Sequence, residues 1–392
     1  MPVYLDHAAT TPMRPEAIAA YAEAMGVVGN PSSIHSQGQQ ARRMLEEARE
    51  TVAATLGADP IEVVFTSGGT EAINLAVKGM YWARNDGVSR PRILVPGGEH
   101  HATMDTVEWL ERAEGARPEW LPLDASGRIA VPSAIDGDDV ALLTFLAVNN
   151  EVGTVQPVTA LAAVARTAGV PVHVDAVAAY GHLPLDFSML GVDALSVSAH
   201  KIGGPVGIGA LVLSRASTVV PLIHGGGQQR QVRSGTQDVA AAVSFAVAAR
   251  AAEAEREVET ARFAALRDRL IAGVRSVVPD AVLSGPEPGP ERVASNVHFT
   301  FPGAQGDSLL FLLDMAGVSV STGSACTAGI PEPSHVLLAM GRTEEDARSA
   351  LRFTLGRTST ESDVDALLAA LPAAYAQAAR AGLAERPSRL AR

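Results

Sequence analysis

Ala194-Leu-Ser-Val-Ser-Ala-His-Lys201 runs from an apolar strand directly into a polar end that carries a lysine. Gly203, Gly204, Gly207 and Gly209 follow it. Twenty-six residues earlier, Pro171-Val-His-Val-Asp175 ends in the same manner on a carboxylate. Charged side chains at the ends of short apolar strands are what an open α/β sheet needs, because such sheets bind ligands beyond the carboxyl ends of their strands. Working outward, the pattern predicts further strands at Glu62–Thr66, Arg92–Val95, Val140–Ala147 and Gly209–Leu213. Helical stretches alternate with them at Ser36–Leu56, Thr70–Asn85 and Val158–Ala168, so the fold class is α/β. Several strands are almost continuously apolar, which predicts a mainly parallel sheet covered on both faces.

The pattern changes after Thr236. Gln237 to Val277 reads as one long helical region, and the Pro/Gly stretch Ser284–Pro290 then interrupts the chain. A second block follows, with strands near Val293–Phe301, Val318–Ser321 and Leu351–Thr354 and a helix at Ser308–Ala316. The expected division is a large domain over residues 16–260 and a smaller α+β domain over 261–380. Residues 1–15 join the small domain, and 381–392 form a frayed tail.

Composition narrows the function. A chain of 392 residues, 47% hydrophobic and 19% charged, has the make-up of a globular protein with a large core. Its net charge of −12 argues against nucleic-acid binding by a general basic surface. No apolar run approaches the roughly 20 residues that span a membrane, and no signal peptide is visible, so a cytoplasmic location is expected. The single cysteine, Cys326, excludes an internal disulfide or a zinc site built from cysteines. Only two of the 31 basic residues are lysines, Lys78 and Lys201. Chemistry that needs a lysine amine has two candidates.

Lys201, at a strand end among glycines, suits a Schiff base, although a lysine capping a loop has the same surroundings. A carboxylate beside a pyridine nitrogen keeps that nitrogen protonated, as pyridoxal phosphate (PLP) chemistry requires, and Asp175 suits that place or a helix N-cap. Phe65-Thr-Ser-Gly-Gly-Thr-Glu71 passes from strand through glycines into a helix and offers backbone N–H groups and Thr70 to an anion; it could also simply turn the chain. Arg233, Ser234 and Thr236 offer a second set of donors. The pair His100-His101 could suggest a metal, but adjacent residues rarely reach one ion; an imidazole stacked on a flat cofactor suits a strand end better, and it would also serve as a catalytic acid/base. No metal site is expected. Cys326 lies in Ser321-Thr-Gly-Ser-Ala-Cys-Thr-Ala-Gly-Ile-Pro, which reads as a mobile loop presenting a reactive thiol rather than as a buried site. Arg352 is either a surface strand residue or a bidentate clamp for a carboxylate.

Together these segments resemble the cysteine desulfurases of the NifS/IscS type, in the class V aminotransferase group of fold type I PLP enzymes. The likeness rests on Tyr4-Leu-Asp-His-Ala-Ala-Thr-Thr-Pro12, Gly29-Asn-Pro-Ser-Ser-Ile-His35, Phe65 to Glu71, Glu99-His-His-Ala102, Asn149-Asn-Glu-Val-Gly153, His173-Val-Asp-Ala176, Ser198-Ala-His-Lys201, Arg233-Ser-Gly-Thr236, Ser321 to Cys326 and Leu351-Arg-Phe-Thr-Leu-Gly-Arg357, in order along nearly the whole chain. It implies a fold type I transferase with PLP on Lys201, Asp175 at the pyridine nitrogen, His100 stacked on the ring and Asn150 at its oxygen side. It further implies that Gly69, Thr70, Ser198, Ala199 and His200 hold the phosphate end. Thr236 would reach that phosphate from the partner subunit of a homodimer. Arg352 would clamp the carboxylate of L-cysteine, and Cys326 would take the sulfur as a persulfide and pass it to an acceptor protein.

One position departs from the pattern. The family places a glutamine, which donates to the ring oxygen, where this chain has Ala178; a water or a neighbour such as His200 must substitute. Gln229 stands where a glutamate is common. Two rivals follow from the same residues. A selenocysteine lyase or another class V lyase would not depend on Cys326 in the same way, and a catalytically silent scaffold is motivated only by Ala178.

Overall fold

The computed structural model describes residues 2–323 and 332–385. Met1, residues 324–331 with Cys326 among them, and residues 386–392 lie outside the described residues. The first half comprises β1 (Val3–Tyr4), α1 (Pro15–Met25), α2 (Ser36–Thr55), β2 (Val63–Thr66), α3 (Gly69–Arg84), β3 (Arg92–Pro96), α4 (His101–Glu114), β4 (Arg117–Leu121), β5 (Val140–Leu146) and α5 (Val158–Thr167). After these come β6 (Val172–Asp175), α6 (Phe187–Leu190), β7 (Ala194–Ser198), β8 (Gly209–Leu213) and α7 (Val239–Val277). The remainder holds β9 (Val282–Leu283), β10 (Asn296–Thr300), α8 (Gly306–Met315), β11 (Val318–Ser319), α9 (His335–Ala339), α10 (Glu344–Arg348), β12 (Ala350–Thr354) and α11 (Glu361–Glu385).

Seven strands form the central sheet in the order β2-β8-β7-β6-β5-β3-β4. Only β8 runs against its neighbours, β2 and β7; the other pairs are parallel. Strands β2, β3, β5, β6 and β7 therefore all end at one edge of the sheet. The apolar runs produce this because helices cover both faces: all seven residues of β5 and all four of β6 are buried. The even polar positions are absorbed internally. His173 of β6 bridges Thr144 of β5 and Ser196 of β7, at 2.8 Å on each side.

Helix α7 starts where the Asp238 carboxylate accepts the Ala241 N–H at 2.9 Å. Its first half, including Phe245, Ala249 and Ala252, packs in the core of the seven-stranded sheet. Its second half, including Phe263, Leu266, Leu270 and Val274, packs in another core with Phe299, Phe353 and Leu367. The division expected at residue 260 falls inside this helix, between the two packing faces. The second core covers the antiparallel sheet β12-β10-β9, and β1 pairs in parallel with β11 beside it. Leu5 of the N-terminal segment is buried there too. The tail expected from residue 381 begins as helix, since α11 continues to Glu385. No helix among the described residues is long and apolar enough to cross a membrane.

Candidate active site

The strand ends at the common edge of the sheet meet in a cavity of about 450 Å³. One helical turn after β7 places Lys201 on its wall, with Ser198 and His200. Asp175, the last residue of β6, is buried and accepts the Val177 N–H at 2.9 Å. Beyond β3, His100 caps α4: its Nδ1 accepts the Ala102 N–H at 3.0 Å. That bond leaves the ring proton on Nε2, so neutral His100 donates toward its surroundings. The acid/base role expected of it would require the ring to release Ala102 first. Beyond β5, the buried Asn149 amide donates to the Gly98 carbonyl (2.9 Å) and accepts from Glu151 and Val152 N–H groups, which fixes the turn carrying Asn150.

The N-terminus of α3 opens on the same cavity at Gly69 and Thr70, with no side chain capping it. Its free N–H groups and helix dipole favour an anion. Gly69 is needed for close packing: a Cβ there would lie 2.7 Å from Cγ2 of Val177. Arg352 enters from β12 on the other side. Its Nη1 donates to the Asn150 carbonyl at 2.9 Å and its Nη2 to Asp6 Oδ1 at 2.8 Å. Ser321 pairs with Arg352 through the backbone, so the chain passes the arginine just before residue 324.

Burial dominates the electrostatics. It pushes the Asp175 carboxyl up to about 6, against the Val177 N–H and the charge of Lys201. Burial and the nearby Arg352 guanidinium bring the free Lys201 amine down to about 8, against the pull of Asp175 and Asp6. Burial, aided by Lys201, takes His100 down to about 4, so its ring is neutral at pH 7. Glu99 is fully buried, and burial pushes its carboxyl well above the usual carboxylate range, against the Leu146 N–H that it accepts. A lysine must be uncharged to attack an aldehyde. Capture of PLP by cofactor-free protein should therefore quicken as pH rises through about 8 and level off above it. A midpoint near the ordinary lysine value of about 10.4 would show that the amine is solvated.

The structure thus brings Gly69, Thr70, His100, Asn150, Asp175, Ala178, Ser198, His200, Lys201 and Arg352 to one cavity. Ala199 is buried in the core of the large sheet and is not part of the cavity wall. Thr236 is exposed and away from it. Lys78 also stands apart, its ammonium 4.2 Å over the Trp109 ring. His101 turns to Asp105 (3.7 Å) and packs edge-on against His335. His200, the neighbour expected to substitute for the missing glutamine, has its Nδ1 3.2 Å from Thr10 Oγ1. Cys326 lies outside the described residues.

Reading the sequence missed the N-terminal segment as a source of ligands. Lys201 Nζ donates to the carbonyls of Ala8 and Ala9, and Asp6 pairs with Arg352. Carbonyl ligands leave no side-chain signature; only the acid in Tyr4-Leu-Asp6 could have hinted at the pair. His298, opposite Arg352 across the β10–β12 pair, is fully buried, and neither ring nitrogen is hydrogen-bonded among the described residues.

These residues fit PLP on the chemistry they offer. A buried acid with no ion pair among the described residues suits a pyridinium nitrogen. An uncapped helix N-terminus with Ser198 beside it suits a phosphate, and a lysine with a lowered pKa suits the aldehyde. The comparisons agree. The family model described as aminotransferase class-V matches residues 3–367. The chain is 54% identical over 386 residues to an "IscS-like cysteine desulfurase" of Mycobacterium tuberculosis, covering 97% of this chain and 98% of that one. A solved "NifS-like protein" superposes with a TM-score of 0.87 at 33% identity, over 96% of this chain and all of its own. A structure of "SspA in complex with cysteine" gives 0.75 at 33% identity, over 90% of this chain and 98% of its own.

Proposed function

Because the chain belongs to the aminotransferase class-V family, we propose that it is a PLP-dependent cysteine desulfurase of fold type I, which takes sulfur from L-cysteine and releases L-alanine. The observation that carries this reading is the cavity wall. Its only lysine, Lys201, shares it with a buried carboxylate, Asp175, and with an arginine, Arg352, on the opposite domain's sheet. When bound, PLP supplies an electron sink that lets bonds at the substrate Cα and Cβ break.

The chain's own residues do the rest. Asp175 holds a proton at the pyridine nitrogen, and the α3 N-terminus with Gly69, Thr70, Ser198 and His200 receives the phosphate. Arg352 receives the substrate carboxylate. Lys201 moves a proton from the substrate Cα. Cys326 accepts the sulfur: the C–S bond of cysteine breaks, an S–S bond forms on Cys326, and the thiol proton ends on alanine. Atoms and electrons balance without an external oxidant. The cavity wall reaches Gly323, three residues before Cys326, and three residues span at most about 10 Å. A sulfur held on such a segment can reach the substrate and be handed to an acceptor protein, such as an iron–sulfur scaffold or a relay.

The reading includes a homodimer, with Thr236 offered to the phosphate of the partner subunit. What supports this is that Thr236 is exposed and does not line the cavity of its own chain. A cytoplasmic location suits a lone cysteine that must return to the thiol after every turnover.

The test is the clamp. Arg352→Ala should raise KM for L-cysteine roughly 10- to 150-fold, the equivalent of about 1.5–3 kcal/mol for a charge-assisted bidentate pair, while PLP absorbance is retained. Unchanged KM would place the carboxylate elsewhere and undo the substrate assignment.

A further inference from the structure

We propose that Asp6 is the internal counter-ion of Arg352 and sets how tightly the site holds a substrate carboxylate; this rests on the reading of Arg352 as the carboxylate clamp. The two side chains meet at 2.8 Å although 346 residues separate them. Arg352 is 6% exposed and Asp6 20%, and Arg352 lines the cavity whereas Asp6 stands behind it.

Asp6 is fixed in place by backbone contacts on every side. Its carbonyl accepts from the Tyr4 hydroxyl at 3.0 Å and from the Ala9 N–H at 3.0 Å. It forms a bridge with Thr354, whose N–H donates to the Leu5 carbonyl at 2.7 Å and whose hydroxyl accepts the Ala8 N–H at 2.8 Å. Strand β12, which carries Arg352, therefore also holds the acid that faces it. A guanidinium this buried requires a counter-charge, and Asp6 supplies it before substrate arrives.

Asp6 does not exhaust the donors. One N–H of Nη2 goes to Asp6 and one of Nη1 to the Asn150 carbonyl; Nε is buried without a partner. Among the described residues, three N–H groups of Arg352 remain without a partner. A substrate carboxylate that takes an Nη N–H binds an arginine whose charge Asp6 already offsets, with a like charge against the same guanidinium. The consequence is a deliberately weakened clamp, able to release the carboxylate of alanine after it has held that of cysteine.

Asp6→Asn separates charge from shape, since the amide oxygen still accepts from Nη2. The full-length loaded enzyme, wild type and D6N, is titrated with propionate, a carboxylate that cannot react, by calorimetry and by thermal shift. D6N should be less stable when free, bind propionate roughly 3- to 30-fold more tightly, and show the larger gain in melting temperature on binding. Its KM for cysteine should fall in step. A merely structural Asp6 would lower stability and leave propionate affinity unchanged or weaker, and that result overturns the proposal. Arg352→Gln, alone and combined with D6N, separates the two readings. If R352Q binds propionate like the wild type, the clamp assignment itself fails. If R352Q abolishes binding but D6N does not tighten it, only the role of Asp6 falls.

Discussion

Lys201→Ala will leave a colourless or weakly coloured protein whose alanine production falls by at least about 10³-fold. The expectation follows from arithmetic and placement together. The chain contains two lysines. Lys78 lies on α3 with its ammonium over Trp109, away from the cavity; Lys201 is on the cavity wall with its amine brought down to about 8. No second amine can take over either the attachment of PLP or the proton at the substrate Cα. Borohydride treatment of the wild type should accordingly fix PLP on the peptide containing Lys201. An adduct on Lys78, or a Lys201→Ala protein that still makes alanine at the wild-type rate, would remove both the cofactor assignment and the mechanism built on it.

The sheet was legible in the sequence where strands are short, apolar and closed by a polar end. β2, β3, β5, β6, β7 and β8 all lie within a residue or so of where the pattern places them. β4 escaped notice because Arg117-Pro-Glu-Trp-Leu121 is an edge strand, half in solvent and with no apolar run to mark it. β1 escaped because two residues carry no periodicity; its pairing with β11 is set by tertiary packing of Leu5. Within the site, Asp175, His100 and Lys201 were visible as chemistry at strand ends. The Asp6–Arg352 pair was not, because nothing local in either segment says that the two ends of the chain meet. The protonation geometry of His100 was equally hidden, since it depends on one backbone N–H at the start of α4.

Cys326→Ser is the second substitution with a large expected effect. A thiol of ordinary pKa, about 8.5, is only a few per cent ionised at pH 7, yet its thiolate is far more nucleophilic toward sulfur than any hydroxyl. Cys326 is the only thiol in the chain, and Gly323, three residues before it, lines the cavity. The serine variant should bind PLP and cysteine as the wild type does, because Lys201, Asp175 and Arg352 are untouched, and yet lose alanine production by at least about 10²-fold. That split, binding intact and turnover lost, distinguishes a sulfur-accepting residue from a structural one.

The most direct measurement is mass spectrometry of the enzyme after exposure to L-cysteine without reductant, with alanine quantified in the same sample. Sulfur transfer to the chain predicts one added sulfur, about 32 Da, on the peptide containing Cys326, and an equal amount of alanine. Alanine and free sulfide formed at the wild-type rate by Cys326→Ser, with no sulfur on the chain, would contradict it and make the enzyme a lyase.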